Sequence, residues 1–513
     1  MNHYLAIDVG TTSLKGALID QDGALIAAST SSYSTRRPKP NHVVQDPEDW
    51  WQALKNVAGE LNRTFNLDSV RAVGLSGMAA THVLIDWQGE VIAPAIIWQD
   101  TRAEREAKEL ASAFVDADKV AIFGANVGIT ASTQAARMLW LHRHQPTVLD
   151  QARAVLGSKD YLAFRLTGEV VTDVTSSSTF ANLASGELDE RVAELTGFDP
   201  SKLPQRLAPY GLAGTVGKPA AEATGLRAGT PVAIGMIDSW CNILGSGLAR
   251  PGDAFDVAGT AEVVGLADSR DASAPAPKDA VYRLPFLTGI DVVYGVTQCG
   301  TDSLTWFAEA FGDLERERAN RGEPSLFEQL TALADAVPNG ADGLLFLPYL
   351  EGERSPFNDP RMRGGFLGVQ RRHRKGHFAR AVLEGVAYSV KHVLEACETA
   401  CGTRALQVRT SSGGAKSRLW NGIKANVLGR SVARLRVNDA GAVGAAILAA
   451  VAVGDVSLED GVRELVHVVD EIEPEVAVHA HYRELYQLYL AAGTGSSELM
   501  HGLSGAAEKV SAP

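Results

Sequence analysis

The sequence predicts an α/β protein of two related domains facing a central cleft, and three observations carry that prediction. The chain has 513 residues, too many for one hydrophobic core. Residues 6–19, AIDVGTTSLKGALI, read as a strand, a tight polar turn and a second strand, that is, a hairpin. Residues 254–264, AFDVAGTAEVV, repeat the pattern: Asp256-Val257 before Gly259-Thr260 echoes Asp8-Val9 before Gly10-Thr11. A repeat half a chain apart suggests duplicated domains, each bringing one Gly-Thr turn to the shared cleft.

The first turn suits phosphate. Gly10, Thr11, Thr12 and Ser13 offer backbone N–H groups and three hydroxyls, and Lys15 adds a cation. Nests of N–H groups and small hydroxyl side chains favour anions. Asp8, which closes the strand, is placed to hold Mg²⁺ directly or through water beside that phosphate. An ordinary glycine-turn hairpin has the same local pattern, and the second copy is what favours phosphate. This is not a Walker loop, because no Gly-Lys-Ser/Thr follows four variable residues from a glycine. Two facing turns that grip a nucleotide are the layout of the actin-like, or ribonuclease H-like, ATPase folds, which the pattern resembles.

Composition narrows the function. A formal net charge of −13 offers no general basic surface to nucleic acid or to an acidic membrane. No run of 18 apolar residues and no basic-then-apolar leader at Met1 is visible, so the expectation is a soluble, cytoplasmic protein with no membrane partner. Cys241, Cys299, Cys397 and Cys401 lack zinc-site spacing and read as reduced and structural, with Cys241 set apart by its closeness to a candidate site.

Taken in order, the hairpin is followed by a third strand after Asp22-Gly23 and a loop over 33–45. Asp46-Pro47-Glu48-Asp49 starts a helix, with an N-cap, proline at the first position and then acids. Trp50, Leu54, Val57, Ala58 and Leu61 share one face of it. Gly74 to Met78, GLSGM, is a strand ending in glycine, which lets a ligand approach the backbone. Trp98, between apolar and polar residues, reads equally as core packing or as a platform for a ligand's carbon face. A helix runs from Gly157 to Leu166 and stops at Gly168, and TDVTSSS at 172–178 reads as a solvated or a sugar-contacting loop, the solvated reading being favoured. Residues 205–232 read as a linker and small subdomain. Asp238 follows the buried strand 231–236 and precedes a helix, the place of a general base and equally of a helix-capping aspartate.

In the second half, 269–280 read as an exposed insertion, 313–325 as solvated surface, 344–350 as an apolar strand and 377–400 as a long helix. Gly413-Gly414-Ala415-Lys416-Ser417 separates a strand from a helix. Glycines there leave room for a flat ring against the backbone and aim the helix N-terminus at phosphate. Gly300 and Ser417, each beside an expected helix start, join the nucleotide set. The small-residue helix at 439–450 is expected to pack closely on a nucleotide loop. The expected domains are 1–245, with the sugar site and the first phosphate turn, and 246–490, with the ATP site. Residues 491–513 are expected to be a frayed tail.

The chain resembles the FGGY family of carbohydrate kinases over about residues 3–490. The most specific segment is Gly364 to Glu384: Gly364, Phe366, Gly368-Val369, His377-Phe378, then Ala381-Val382-Leu383-Glu384. LPYLEGERSPFNDP at 347–360, WQDTR at 98–102 and KDY at 159–161 are similar to family segments as well. The resemblance implies transfer of phosphate from MgATP to a sugar or polyol hydroxyl, with closure of the domains excluding water. It implies that Asp8, Gly10, Thr11, Thr12 and Lys15 form the first phosphate motif and Gly259 and Thr260 the second. Gly413, Gly414 and Ala415 match the adenosine motif. Asp238 stands at the position of the catalytic base, and Trp98 at a wall of the sugar cleft with Met78, Ala79 and Ser239. A homodimer is an expectation from the resemblance alone.

Within the family the pattern looks most like the xylulokinases, which implies a ketopentose such as D-xylulose as acceptor. Three departures lie around the sugar. Met78-Ala79-Ala80 replaces a usual Gln-Met-His, Ser239 stands where Asn is common, and Asn41-His42-Val43 replaces a frequent Gly-Trp. They bear on which acceptor is used: ribulose, fuculose, erythritol and glycerol are the alternatives within the kinase reading. An actin-like filament or chaperone ATPase and a sugar-binding regulator without catalysis are the alternatives outside it.

Overall fold

The first strand, His3–Val9, sends Leu5, Ile7 and Val9 into one hydrophobic core. It pairs antiparallel with Ser13–Asp20, which places Asp8 directly opposite Lys15, and that strand pairs antiparallel with Leu25–Ser32. On its other side His3–Val9 runs parallel to Ala72–Gly77, then come Pro231–Ile237, parallel, and Leu212–Thr215, antiparallel. A second sheet repeats this plan. Ala254–Ala258 pairs antiparallel with Glu262–Ser269, and that strand with Ile290–Val296. On the other side Gln407–Ser411 and Ser431–Leu435 run parallel, and Val468–Ile472 closes antiparallel. Both sheets thus carry an antiparallel three-strand meander, two parallel strands and a final antiparallel one. The echo of Asp-Val before Gly-Thr read from the sequence marks a duplicated topology.

These positions come from a computed structural model, which describes residues 2–511 apart from 126, 178, 184, 271–276, 278–279 and 287–288. Most of the insertion expected at 269–280 lies outside the described residues. Contacts divide the chain into one unit of residues 1–249, 284–289 and 439–467 and another of 250–283, 290–438 and 468–513. The sheet that begins the chain lies in the first unit, and the six repeated strands lie in the second.

Local chemistry explains the helices. Pro47–Leu61 is capped by Asp46, whose side chain accepts from the Glu48 N–H at 3.1 Å, and it buries Trp50, Leu54, Val57, Ala58 and Leu61 as expected. Ser158–Thr167 ends on Gly168, whose φ of 84° closes the C-terminus. The 27-residue helix Lys375–Cys401 runs through the core of the second unit. Two expectations are corrected. Residues 33–45 are not a loop throughout: Arg36–Lys39 and His42–Gln45 form a hairpin turning on Asn41 (φ 64°), because the second strand also pairs with Ala95–Ile96 and buries Val43, Val44 and Gln45. The tail expected to fray is helical, Val476–Gly495 and then Ser497–Ser511, because Met500 and Ser504 are buried and the Arg363 guanidinium donates to the Ser504 hydroxyl at 2.5 Å.

The helix Ala440–Ala452, distant in sequence, packs inside the first unit against the helix Asp238–Gly245 and the strands His3–Val9 and Ala72–Gly77. Glycine makes that approach possible. A Cβ on Gly245 would stand 1.8 Å from the Ala440 carbonyl oxygen, and one on Gly444 would stand 2.1 Å from that of Cys241. Cys241, Cys299 and Cys397 are buried, and all four cysteines are free thiols. Among the described residues no helix is long and apolar enough to cross a membrane.

Candidate functional site

The head of the first sheet gathers the charged candidates. The turn at Gly10 is closed by its own N–H on the Ser13 carbonyl at 3.0 Å. Three side chains brace it: Gln45 Nε2 donates to the Thr11 carbonyl at 2.7 Å, Trp98 Nε1 donates to Thr11 Oγ1 at 2.9 Å, and the Tyr33 hydroxyl donates to the Gly10 carbonyl. Among the described residues the N–H groups of Thr11 and Thr12 have no acceptor. A rigid turn presenting free N–H groups is an anion cradle.

Asp8 stands beside that cradle and accepts a hydrogen bond from Ser76 Oγ at 2.7 Å. Burial raises its carboxyl above the ordinary range and the neighbouring Asp439 raises it further, against the pull of Ser76 and Lys15. Lys15 Nζ meets Asp439 Oδ2 at 2.6 Å, while Asp439 caps the helix Ala440–Ala452 through the Ala442 N–H. Asp439 is a residue that sequence reasoning missed. Its helix was expected from its small residues, but nothing local ties it to a hairpin more than 400 residues away.

Asp238 opens the helix Asp238–Gly245 but does not cap it: the capping position is Ile237, and no side chain bonds there. The preceding strand is bent to place it. Gly235, at φ 69°, presses on the Leu75 carbonyl, and the register of Pro231–Ile237 shifts between Ala233 and Met236. The Asp238 carboxyl is pushed up to about 7 by burial first and then by the charge of Asp8, and the N–H groups of Ser239 and Ala79 oppose this. The Ser239 N–H reaches Asp238 Oδ1 at 2.7 Å. An aspartate held near neutrality and joined to a loop N–H of its own unit can take up a proton at physiological pH.

The acceptor candidates divide. Trp98 is 48% exposed, which removes the core-packing reading. Ala79 and Ser239 are half-buried beside Asp238. Met78, by contrast, is 3% exposed and its side chain belongs to the hydrophobic core, so only its backbone remains for a ligand. Cys241, adjacent in sequence, is inert: burial raises its thiol to about 12. Of the hydroxyl-rich run at 172–178, residues 172–176 are not a solvated loop, and Ser178 lies outside the described residues. Lys159 Nζ lies 2.5 Å from Asp160 and 2.8 Å from Asp173, all three buried, and Thr172 Oγ1 donates to Asp160 and Ser176 Oγ to Asp173.

In the second unit, the Gly259 carbonyl accepts from the Thr301 N–H at 2.9 Å and from its hydroxyl at 2.8 Å, while the Gly300 N–H donates to the Thr260 carbonyl at 2.6 Å. A Cβ on Gly300 would stand 2.9 Å from the Glu262 backbone nitrogen, so only glycine fits against this turn. The Thr260 N–H has no acceptor among the described residues. Beside it opens a pocket of about 770 Å³ lined by Gly413, Gly414, Ser417, Thr301, Phe327 and Glu328, among others. Gly414 fits against Ala258, where a Cβ would approach the Ala258 Cβ to 2.7 Å, whereas Gly413 faces open space. Ser417 caps the helix Arg418–Leu428, and Ala415 is fully buried behind the pocket. Phe327 and Glu328 were missed. Their helix, Leu326–Asp335, announces itself by the Ser325–Glu328 capping box, but no sequence signal ties it to a ligand.

The echo at Asp256 carries a different task from Asp8. Lys424 Nζ holds it at 2.6 Å and Glu262 at 3.1 Å, all buried, so the carboxylate is consumed inside the core. Among the described residues no group of three or more His, Cys, Asp or Glu side chains is arranged to hold a metal. The donor set at Asp8 fits Mg²⁺ in another way. A half-buried carboxylate already crowded by Asp439 gains from a cation, and Mg²⁺ needs only one or two carboxylates when phosphate oxygens complete its shell.

A sheet plan used twice, with a Gly-Thr turn at the head of each copy, defines a phosphotransferase of the actin-like ATPase class. Residues 3–245 match the N-terminal domain and residues 254–453 the C-terminal domain of the FGGY family of carbohydrate kinases, and the chain belongs to that family. It is 28% identical to a xylulose kinase of Lactococcus lactis, over 98% of this chain and 99% of that protein. It is 31% identical to a xylulose kinase of Escherichia coli, over 88% of this chain and 90% of that protein. The crystal structure of xylulose kinase from Rhodospirillum rubrum superposes with a TM-score of 0.83 at 32% identity, covering 98% of this chain and all of that one (100%). The protein is a carbohydrate kinase with two actin-like domains that uses ATP.

Proposed function

We propose that this kinase phosphorylates a hydroxyl of a ketopentose, with D-xylulose the first acceptor to try, and that Asp238 is its general base. The observation that carries the assignment is Asp238 itself: a carboxyl brought to about 7, next to Asp8 and bonded to the N–H of Ala79. A base tuned near the working pH accepts the hydroxyl proton as the oxygen attacks the γ-phosphorus. The free N–H groups of Thr11 and Thr12 take the transferring phosphoryl oxygens, and Lys15 adds positive charge. Asp8 is the residue that would hold Mg²⁺ beside the phosphates, where the ion would neutralise negative charge. Within the second unit, Gly259, Thr260 and Gly300 form a second phosphate turn, and the pocket at Gly413, Gly414 and Ser417 takes the adenosine. Trp98 offers an exposed ring to the carbon face of the acceptor.

The test is ADP release with MgATP across pentuloses, pentitols, glycerol and deoxy-ketoses, with Asp238→Asn as the comparison. Turnover on D-xylulose is expected, and the variant is expected to lose about 10²- to 10⁴-fold in kcat, the range of general-base catalysis. An unchanged kcat removes Asp238 as the base. Turnover on another acceptor alone moves the specificity to the Met78-Ala79-Ala80 loop and Ser239.

A further inference from the structure

Arg137, on the helix Gln134–His144, has no exposed surface, and its guanidinium is spent on backbone oxygens. Nη1 donates to the carbonyls of Ala80 at 2.5 Å and Ile96 at 3.1 Å and lies 3.0 Å from His82 Nδ1. Nη2 donates to the carbonyls of Ile97 at 2.6 Å and Asp100 at 3.2 Å. These acceptors belong to two loops of the first unit. One, 78–82, carries Ala79, whose N–H helps hold down the pKa of the Asp238 carboxyl. The other, 96–100, carries Trp98, whose ring nitrogen braces Thr11.

The loops have little else in common. The backbones of His82 and Ile96 exchange hydrogen bonds at 3.0 Å in both directions. Beyond that bridge, Arg137 Nη1 touches both loops at once. Ala80 sits at φ 47°, a conformation that a residue with a Cβ adopts only under constraint, and its carbonyl takes the shortest of the Arg137 bonds. Burial and the adjacent guanidinium keep His82 neutral, so its Nδ1 stays an acceptor. A planar fork with several fixed donors can address carbonyls on two segments, which the single ammonium of lysine cannot reproduce.

We propose that Arg137 is a positioning residue for the acceptor, fixing the distance between the Ala79-Ala80 turn and the Trp98 loop without touching the acceptor itself. The inference rests on the acceptor-site reading given above. It predicts that Arg137 sets acceptor affinity more than nucleotide affinity, since its five contacts lie on these two loops and reach the phosphate turn only through the Trp98–Thr11 bond.

The experiment is steady-state kinetics of Arg137→Lys with acceptor and ATP varied separately, beside a melting curve. Loss of about two net hydrogen bonds raises the acceptor KM about tenfold, while kcat and the ATP KM stay within about threefold. A folded variant with an unshifted acceptor KM overturns the proposal, as does a parallel rise in both KM values. If Arg137→Lys does not fold, Ala80→Gly releases the same turn while keeping the carbonyl that Arg137 grips. A several-fold rise in acceptor KM is expected there, and an unchanged one overturns the proposal. A wild-type enzyme without turnover on any acceptor sinks the acceptor-site reading instead, so the two failures are told apart.

Discussion

Replacing Asp238 by asparagine should make the protein more stable above neutral pH while it destroys turnover. The carboxyl rises from an ordinary 3.8 to about 7 in the folded chain. A group whose folded value lies above its unfolded value binds its proton more tightly when native. Its favourable contribution is complete below 3.8, fades between 3.8 and 7, and is gone above 7, where the ionised form burdens the native state. At 1.36 kcal/mol per pH unit the burden reaches up to about 4 kcal/mol, less what partial exposure screens away. Asparagine keeps an oxygen for the Ser239 N–H and carries no charge for Asp8 to repel.

Thermal melts of wild type and Asp238→Asn at pH 4 and pH 8 test this. The variant should melt several degrees higher at pH 8, and the gap should close at pH 4. The wild-type kcat/KM should fall on an acid limb centred near 7, because only the ionised carboxylate accepts a proton. A stabilisation equal at both pH values would show that asparagine acts by packing rather than by removing a charge. No stabilisation at pH 8 would show that Asp238 is not held at a raised pKa, and the reasoning that makes it a base would fail with it.

Two further substitutions test the frame around the sites. Gly245→Ala puts a Cβ 1.8 Å from the Ala440 carbonyl oxygen and 2.7 Å from the Gly444 nitrogen, so backbone must move; a loss of roughly 3 kcal/mol is expected in urea unfolding, the upper range for overpacking. Lys424→Met leaves Asp256 and Glu262 buried without their cation and should cost roughly 3–5 kcal/mol at pH 8. That loss should shrink toward pH 5, because the Glu262 carboxyl already lies well above its ordinary value through burial and Asp256, and it takes up a proton first.

What was legible in the sequence was local. The turn at Gly10, the cap at Asp46, the stop at Gly168 and the glycines at 413–414 each depend on residues within a few positions, and the structure has them as read. The duplicated sheet was legible because strand, Asp, Gly-Thr and strand recur in the same order. What stayed hidden depends on distant partners. Nothing in the sequence singles out Arg137, yet it grips two loops. Asp439 read as the start of a small-residue helix, yet it pairs with Lys15. The run at 172–178 read as solvated because hydroxyls usually are, but the buried Lys159–Asp160–Asp173 cluster needs those hydroxyls as donors.

The turns Asp8-Val9-Gly10-Thr11 and Asp256-Val257-Ala258-Gly259-Thr260 show how far a repeat can be trusted. Each aspartate lies inside its strand, Asp8 two positions before Gly10 and Asp256 three before Gly259. The strands alongside set Ser76 against Asp8 and Thr410 against Asp256. Their charges nevertheless go to different ends. Asp8 keeps Lys15 across the hairpin, but Lys15 is itself turned to Asp439, so Asp8 retains charge to spare and burial pushes its carboxyl upward. Asp256 is matched by Lys424 from a helix that approaches from the core. Each lysine thus serves two carboxylates, but Lys424, Asp256 and Glu262 are enclosed in the core whereas Lys15 and Asp439 are partly exposed, so only the first group stands open to solvent. The duplication preserved the backbone turn, and burial separates the open charge cluster of the first copy from the enclosed one of the second.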